Sequence, residues 1–298
     1  LKLRLGGVLV PHITPFTREE ELDERALRTL IHFWVDEGCS GLVSCGSNGE
    51  GAYLSREERS RVFKVVLDEA NGKVPVIAGT GAASTRETIA MTRDAKDMGC
   101  DAAIVVTPYY FKPTGREMAR HYARILEAVD IPMILYNVPK FTACNLEPYT
   151  AHQLVEEYDH VVGIKDSSGS IGQIAELIRL VGERVSVLAG SGDLLLPTLA
   201  LGGSGGVIGI ANVYPRLSAS VYRAHTEGRI EEARRLQLRL THLNDVLLLK
   251  MNQISSLKEA LRITGLPGGY PRGPMMELSG AEKEELGRLL AEFRPPGP

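Results

Sequence analysis

Eight short, β-branched apolar runs, each followed by an amphipathic stretch, recur between residue 6 and about residue 228. They are GGVLVPHI (6–13), GLVSCG (41–46), VPVIAGT (74–80), DAAIVVTP (101–108), IPMILYN (131–137), HVVGIKDS (160–167), RVSVLAGS (184–191) and GGVIGIANV (205–213). Continuous hydrophobicity bounded by Gly or Pro marks strands buried on both faces, which antiparallel sheets rarely have. The intervening segments carry helix starts. Asp23 precedes a helix through Trp34, Ser55 with Glu58 makes a capping box, Thr85 precedes ETIAMTRDAKDM, and Pro148 stands in a first turn. Repeats spaced by roughly 22 to 33 residues are βαβ units, and eight of them close a barrel. The rival, an open doubly wound sheet, carries a G-x-G-x-x-G turn after its first strand, where this chain has PHITPF.

The expected architecture is therefore an α/β (β/α)8 TIM barrel over residues 1–228. Residues 229–298 form a C-terminal helical extension packed on it, with three helices near 230–250, 255–264 and 279–292. A chain of 298 residues buries roughly three quarters of its unfolded surface, so it requires no staple. A net charge of −3 sets up no field for nucleic acid or anionic lipid, and the basic stretch 229–239 is interleaved with Glu231, Glu232 and Leu236 as on a solvated helix face. Cys39, Cys45, Cys100 and Cys144 form no C-x-x-C pair, which speaks against structural zinc and for a reducing cytosol. No apolar run approaches a membrane span. The expectation is a cytoplasmic chain needing neither metal nor organic cofactor.

Reactive groups in such barrels stand at the C-terminal ends of the strands. Lys165 is the odd member there, because it interrupts the apolar run VVGI. Burying an ammonium is costly, which favours a neutral amine, the activated nucleophile for a carbonyl substrate. The bland reading pairs Lys165 with Asp166 or lets it snorkel to the rim. Tyr136 ends the neighbouring fifth strand, placed to relay the protons of imine formation. Ser47 and Asn48 lie in a Gly-flanked loop before a helix, which suits a small carboxylate. The Gly-rich stretches GSGD and GGSGG admit a phosphosugar isomerase instead, but no basic residue lies between Arg184 and Arg216 to hold the phosphate. A barrel kept only for binding or assembly predicts a vacant or blocked pocket, whereas here the candidate groups converge.

GSNGE, TPYY, YNVP, GIKDSSG and GGVIGIANV, in this order and spacing, resemble the dihydrodipicolinate synthase/N-acetylneuraminate lyase family from about residue 6 to 292. The resemblance implies a lyase of class I aldolase type that uses pyruvate, an aldehyde and a lysine Schiff base. It also implies a homotetramer built as a dimer of dimers. By motif, Lys165 is the Schiff-base lysine, Tyr136 the proton-shuttling tyrosine and Ser47 a relay hydroxyl. Asn48 takes the adjacent carboxylate-binding place. Tyr110 resembles the residue that enters the partner's site, and Gly192 and Ile208 match backbone positions lining the pyruvate pocket. Phe141 stands where the synthases usually have an arginine, and an extended segment turns Lys140 to a different face. GSNGE, KDSSG and GGYPRGPMMELS look more like 4-hydroxy-2-oxoglutarate aldolases. The sequence reading accordingly favours a 4-hydroxy-2-oxoglutarate or 2-keto-3-deoxy sugar acid aldolase. The alternative is a 4-hydroxy-tetrahydrodipicolinate (dihydrodipicolinate) synthase condensing pyruvate with aspartate semialdehyde.

Overall fold

Strands whose side chains are apolar on both faces need cover inside and out, and a closed parallel barrel ringed by helices supplies both. The computed structural model describes residues 3–293, so the extreme ends of the two expected segments, 1–2 and 294–298, lie outside the described residues. Eight strands run β1 (Gly7–Pro11), β2 (Gly41–Ser44), β3 (Val76–Gly79), β4 (Ala102–Val106), β5 (Met133–Asn137), β6 (Val161–Asp166), β7 (Ser186–Ala189) and β8 (Gly205–Val207). They pair in sequence order, and β8 closes on β1 through Gly7↔Gly205 and Leu9↔Val207. The seam is glycine because a Cβ on Gly205 would lie 2.0 Å from the Gly7 carbonyl oxygen.

The eighth apolar run pairs over less than half of its expected length. Beyond Ile208 it turns into a 3-10 segment, Gly209–Asn212. Asn212 holds that turn against β1, donating to Pro11 O (3.0 Å) and Gly209 O (2.9 Å) while its Oδ1 accepts from Ile13 N (2.9 Å). Hydrophobicity there reports burial, not strand pairing.

The helices that follow the strands start where local chemistry permits. Asp23 accepts from Ala26 N ahead of α1 (Glu24–Asp36), and Ser55 with Glu58 completes a capping box on α2 (Arg56–Ala70). The next helix, α3 (Thr85–Asp97), is capped by Ser84 rather than Thr85. Then come α4 (Gly115–Ala128), a short unforeseen α5 (Pro139–Thr142), and α6 (Pro148–Glu157), with Pro148 in its first turn. The ring finishes with α7 (Ile171–Val181), α8 (Leu195–Ala200) and α9 (Pro215–Thr226).

The tail comprises α10 (Ile230–Asn244), a π-helical turn at Asp245–Lys250, α11 (Gln253–Ile263) and α12 (Gly280–Glu292). Its Leu240, Leu243, Leu257 and Leu286 share one buried cluster with Val10, Ile31 and Trp34. The expected helical extension is present, and it completes the core on the β1 side.

One irregularity controls the chemistry. Met133 of β5 pairs with Val161, but the next residue, Ile134, pairs with Gly163, so Val162 is an extra residue bulged into β6. Val162 faces the barrel interior with Leu9, Ile134 and Leu188, whereas Ile164 faces the helices with Leu135 and Val187. Strict alternation from Val162 would turn Asp166 inward and Lys165 outward. A bulge reverses that parity and brings Lys165 into register beside Tyr136.

Candidate active site

Lys165 enters a cavity of 290 Å³ at the C-terminal mouth of the barrel, walled by Val43, Ile104, Val106 and Val138 and also lined by Ser47 and Tyr136. It is 5% exposed, and its Nζ lies 4.0 Å from the centroid of the Tyr136 ring. Asp166 is not its partner. That carboxylate points to the outside of the strand, where Asn137 Nδ2 (2.9 Å), Gln173 Nε2 (2.7 Å) and Ser168 N (3.0 Å) donate to it, together with the Ser168 hydroxyl. The structural-pair reading of Lys165 therefore fails on geometry, and the amine is left to the cavity.

Tyr136 is buried beside it. Its hydroxyl lies 3.3 Å from Ser47 Oγ, close enough for either to donate. Burial pushes the phenol's pKa up. The charge on Lys165 and the hydrogen-bonding groups of Ser47, Lys165 and Ser167 outweigh burial and hold it below the ordinary tyrosine value. A phenol so poised exchanges protons more readily with an amine or a carbinolamine oxygen than a free one. Two residues beyond Lys165, Ser167 Oγ is buried and lodged over Gly190, where a Cβ would meet it at 1.8 Å.

The other expected site residues lie elsewhere. Asn48 is buried, but its Oδ1 accepts from Gln253 of α11, so its amide is occupied by the tail and is not turned to the cavity. Gly192 spends its backbone on α10, its N–H going to Asn244 Oδ1 (3.2 Å) and its carbonyl accepting from Gln237 Nε2 (2.9 Å). Ile208 is fully buried, and its carbonyl accepts from Ala211 N at 3.2 Å. Tyr110 sits in the loop after β4 with a left-handed φ of 78° and is 88% exposed, stacked edge-on against Phe111. Within one chain its neighbour Tyr109, not Tyr110, lines the cavity.

Lys140 also departs from expectation. Its segment is the helical turn α5 and not an extended strand, so Lys140 lies 4.8 Å from the ring of Phe141, which lines the cavity, and donates to the neutral Gln253 Oε1 at 2.7 Å. Burial lowers its pKa, while nearby Tyr136 opposes that shift.

Two residues of this region escaped the sequence reading. Ser167 carried a signal, since it stands two positions after Lys165. Glu50 carried none: it lines the cavity, yet its carboxylate is fully buried against Lys258, a cation 208 positions downstream. The four cysteines are unpaired and buried, and burial pushes the thiols of Cys39, Cys45 and Cys100 up to about 11, 12 and 12. No helix among the described residues is long and apolar enough to cross a membrane.

Comparison with known proteins bears on this geometry. The model of the dihydrodipicolinate synthetase family matches residues 4–293. The 4-hydroxy-tetrahydrodipicolinate synthase of Thermomicrobium roseum is 44% identical over 287 residues, covering 96% of this chain and 94% of that protein. The synthase of the same name from Thermodesulfovibrio yellowstonii is 41% identical, covering 95% and 97%. Among solved structures, dihydrodipicolinate synthase from Aquifex aeolicus superposes with a TM-score of 0.93 at 37% identity, covering 97% of this chain and 98% of that one. A prophage protein of E. coli K12 from the dihydrodipicolinic acid synthase family, solved in complex with pyruvate, also superposes with a TM-score of 0.93. It is 30% identical and covers 97% and 98%.

Proposed function

Because this chain belongs to the dihydrodipicolinate synthetase family, whose members are enzymes of class I aldolase type, we propose that it condenses pyruvate with aspartate semialdehyde as a 4-hydroxy-tetrahydrodipicolinate synthase. The preference drawn from sequence for a 4-hydroxy-2-oxoglutarate aldolase is reversed. Curated relatives at 37 to 44% identity over nearly the whole chain bear the synthase name. The lack of an arginine at Phe141 also weighs less, because the segment that would aim Lys140 away if extended is a helical turn. In the α5 turn Lys140 lies 4.8 Å from the ring of Phe141, which lines the cavity, and has a neutral amide for a partner, which leaves its charge to a substrate carboxylate.

The single observation that carries the reading is the buried Lys165 amine, without a carboxylate partner, over a Tyr136 whose hydroxyl meets Ser47. In the proposed reaction the Lys165 amine attacks the keto carbon of pyruvate. Tyr136, coupled to Ser47, protonates the carbinolamine oxygen, and water leaves to give an imine. Loss of a C3 proton gives the enamine, which attacks the aldehyde carbon. The second substrate's own amine then adds to the imine carbon, closing a ring and returning Lys165 free. Tyr110, exposed beside Phe111, is consistent with a role in the site of a second copy, and with the tetramer that the resemblance implies.

Borohydride reduction in the presence of pyruvate, followed by peptide mass spectrometry, tests the class. A pyruvyl adduct on Lys165 is expected, and Lys165→Ala should lose both adduct and turnover while keeping its melting temperature. No adduct on a folded protein would remove the imine mechanism. An adduct with turnover of 4-hydroxy-2-oxoglutarate but not of aspartate semialdehyde would restore the aldolase reading.

A further inference from the structure

The turn that carries Ser47 is gripped from the far end of the chain. Its residues 46–51 close on themselves, with Glu50 N donating to Ser47 O (3.2 Å) and Gly51 N to Gly46 O (3.1 Å). Glu50 takes a left-handed conformation, φ 53°, which costs a non-glycine residue energy and persists only where surroundings enforce it. Those surroundings belong to the tail. One oxygen of the Glu50 carboxylate receives Lys258 Nζ of α11, and the other receives the backbone N–H of Arg272 at 2.8 Å. Both charged side chains are essentially sealed from solvent, at 0% and 1% exposure.

Lys258 also donates to Tyr270 O (2.7 Å) and lies 4.5 Å from the Phe16 ring centroid. Arg272 lies 4.1 Å from the same centroid and reaches both oxygens of Glu58 at the start of α2 (2.7 and 2.9 Å). A second grip falls on the adjacent residue, where Gln253 of the same helix donates to Asn48 Oδ1. Burial pushes Lys258 down to about 8 in spite of Glu50, so the pair is strongly desolvated. Pairs of this kind are poor sources of stability compared with apolar packing, and their better attested use is to specify one arrangement.

We infer that the Glu50–Lys258 pair, closed by Arg272 N–H, is a positioning device through which the C-terminal extension holds Ser47 against the Tyr136 hydroxyl for proton transfer. The inference rests on the imine reading above. Glu50 and Lys258 touch no reacting atom. They act through the turn, because Glu50 N–H is bonded to the carbonyl of the residue whose hydroxyl meets Tyr136. A displacement of about 1 Å in such a relay is worth roughly 100-fold in rate.

The discriminating readout needs pyruvate alone: exchange of its methyl protons with deuterated water, followed by NMR, reports imine and enamine formation without any aldehyde. Lys258→Met should slow exchange about 10- to 100-fold with the pyruvate KM changed less than about threefold. Lys258→Arg, which keeps a cation, should recover part of the loss. Lys258→Met alone leaves a buried unpaired carboxylate and is the variant most exposed to misfolding. The double variant Glu50→Gln with Lys258→Met removes both charges and should recover the wild-type melting temperature while exchange stays slow. Wild-type exchange in either the folded single or the folded double variant would overturn the inference. If the wild type itself shows neither exchange nor a Lys165 adduct, the imine reading fails. If it shows both and the variants exchange normally, only the positioning role fails.

Discussion

Replacing Tyr136 with phenylalanine deletes one oxygen and leaves the ring among Ile104, Ile134 and Val138, so its packing is preserved. What is lost is the hydroxyl contact with Ser47, at 3.3 Å near the long limit of a hydrogen bond and worth about 0.5–1 kcal/mol net. In a chain of this size that moves the melting temperature by only about 1–2 °C. The effect on rate is of another order. Removing a positioned general acid–base group costs about 10²–10⁴ in turnover, or roughly 2.7–5.5 kcal/mol of barrier. The upper half of that range is favoured here, because Lys165 is a poor substitute, being the covalent group itself. The assay is steady-state turnover of pyruvate and aspartate semialdehyde, with borohydride trapping at fixed times as the measure of imine formation. Loss in both, with a nearly unchanged melting temperature, is expected. Tyr136→Phe within tenfold of wild type in both assays would refute the relay, because no other described hydroxyl touches both Ser47 and the space over Lys165.

Three further outcomes are expected. Gly205→Ala places a Cβ 2.0 Å from the Gly7 carbonyl oxygen, a backbone atom that cannot rotate away, so it should part the β8–β1 seam and yield insoluble or cooperatively unstable protein; a soluble variant melting within 3 °C of wild type, on the scale of about 1 kcal/mol, would contradict this. His12 is fully buried, with Nδ1 donating to Ile13 O and Nε2 accepting from Ser44 Oγ, and burial, partly opposed by the Ile13 carbonyl, lowers its pKa to about 4. The unfolded chain, titrating near 6.5, binds the extra proton between those values. Stability from His12 is therefore full above pH 6.5 and is lost as pH falls toward 4, by about 3 kcal/mol, with His121 adding in the same direction. Urea titrations across that window should show a shallower slope for His12→Gln, and an unchanged slope would exclude His12 as a source. Lys140→Met should raise the KM for aspartate semialdehyde about 10-fold or more, with little change in the pyruvate KM, as loss of a charged hydrogen bond worth about 1.5–3 kcal/mol requires. An unaltered aldehyde KM would return the carboxylate to another cation.

The barrel itself was legible because its signal is local and repeated. Eight apolar runs bounded by turn residues, each followed by an amphipathic stretch, leave few topologies, and the ends of those runs gather Lys165, Tyr136 and Ser47 at one mouth. The substrate was read less well. Its argument rested on the wording of short motifs, GSNGE, KDSSG and GGYPRGPMMELS, and on Phe141 in place of an arginine, whereas relatives at 37 to 44% identity over nearly the whole chain bear the synthase name.

Other features were decided only by the closed fold. The facing of Lys165 depends on Val162 being squeezed out of register between β5 and β6, and nothing in HVVGIKDS distinguishes a bulged strand from a regular one. Asn48 read as part of a substrate loop and Glu50 carried no signal, yet Gln253, Lys258 and Arg272 occupy them from more than two hundred positions away. Periodicity and capping report interactions among residues a few positions apart, which the chain carries wherever it goes. Register, side-chain facing and the pairing of buried charges are set by contacts between distant segments, and these acquire an energy only once the barrel has closed and water has left.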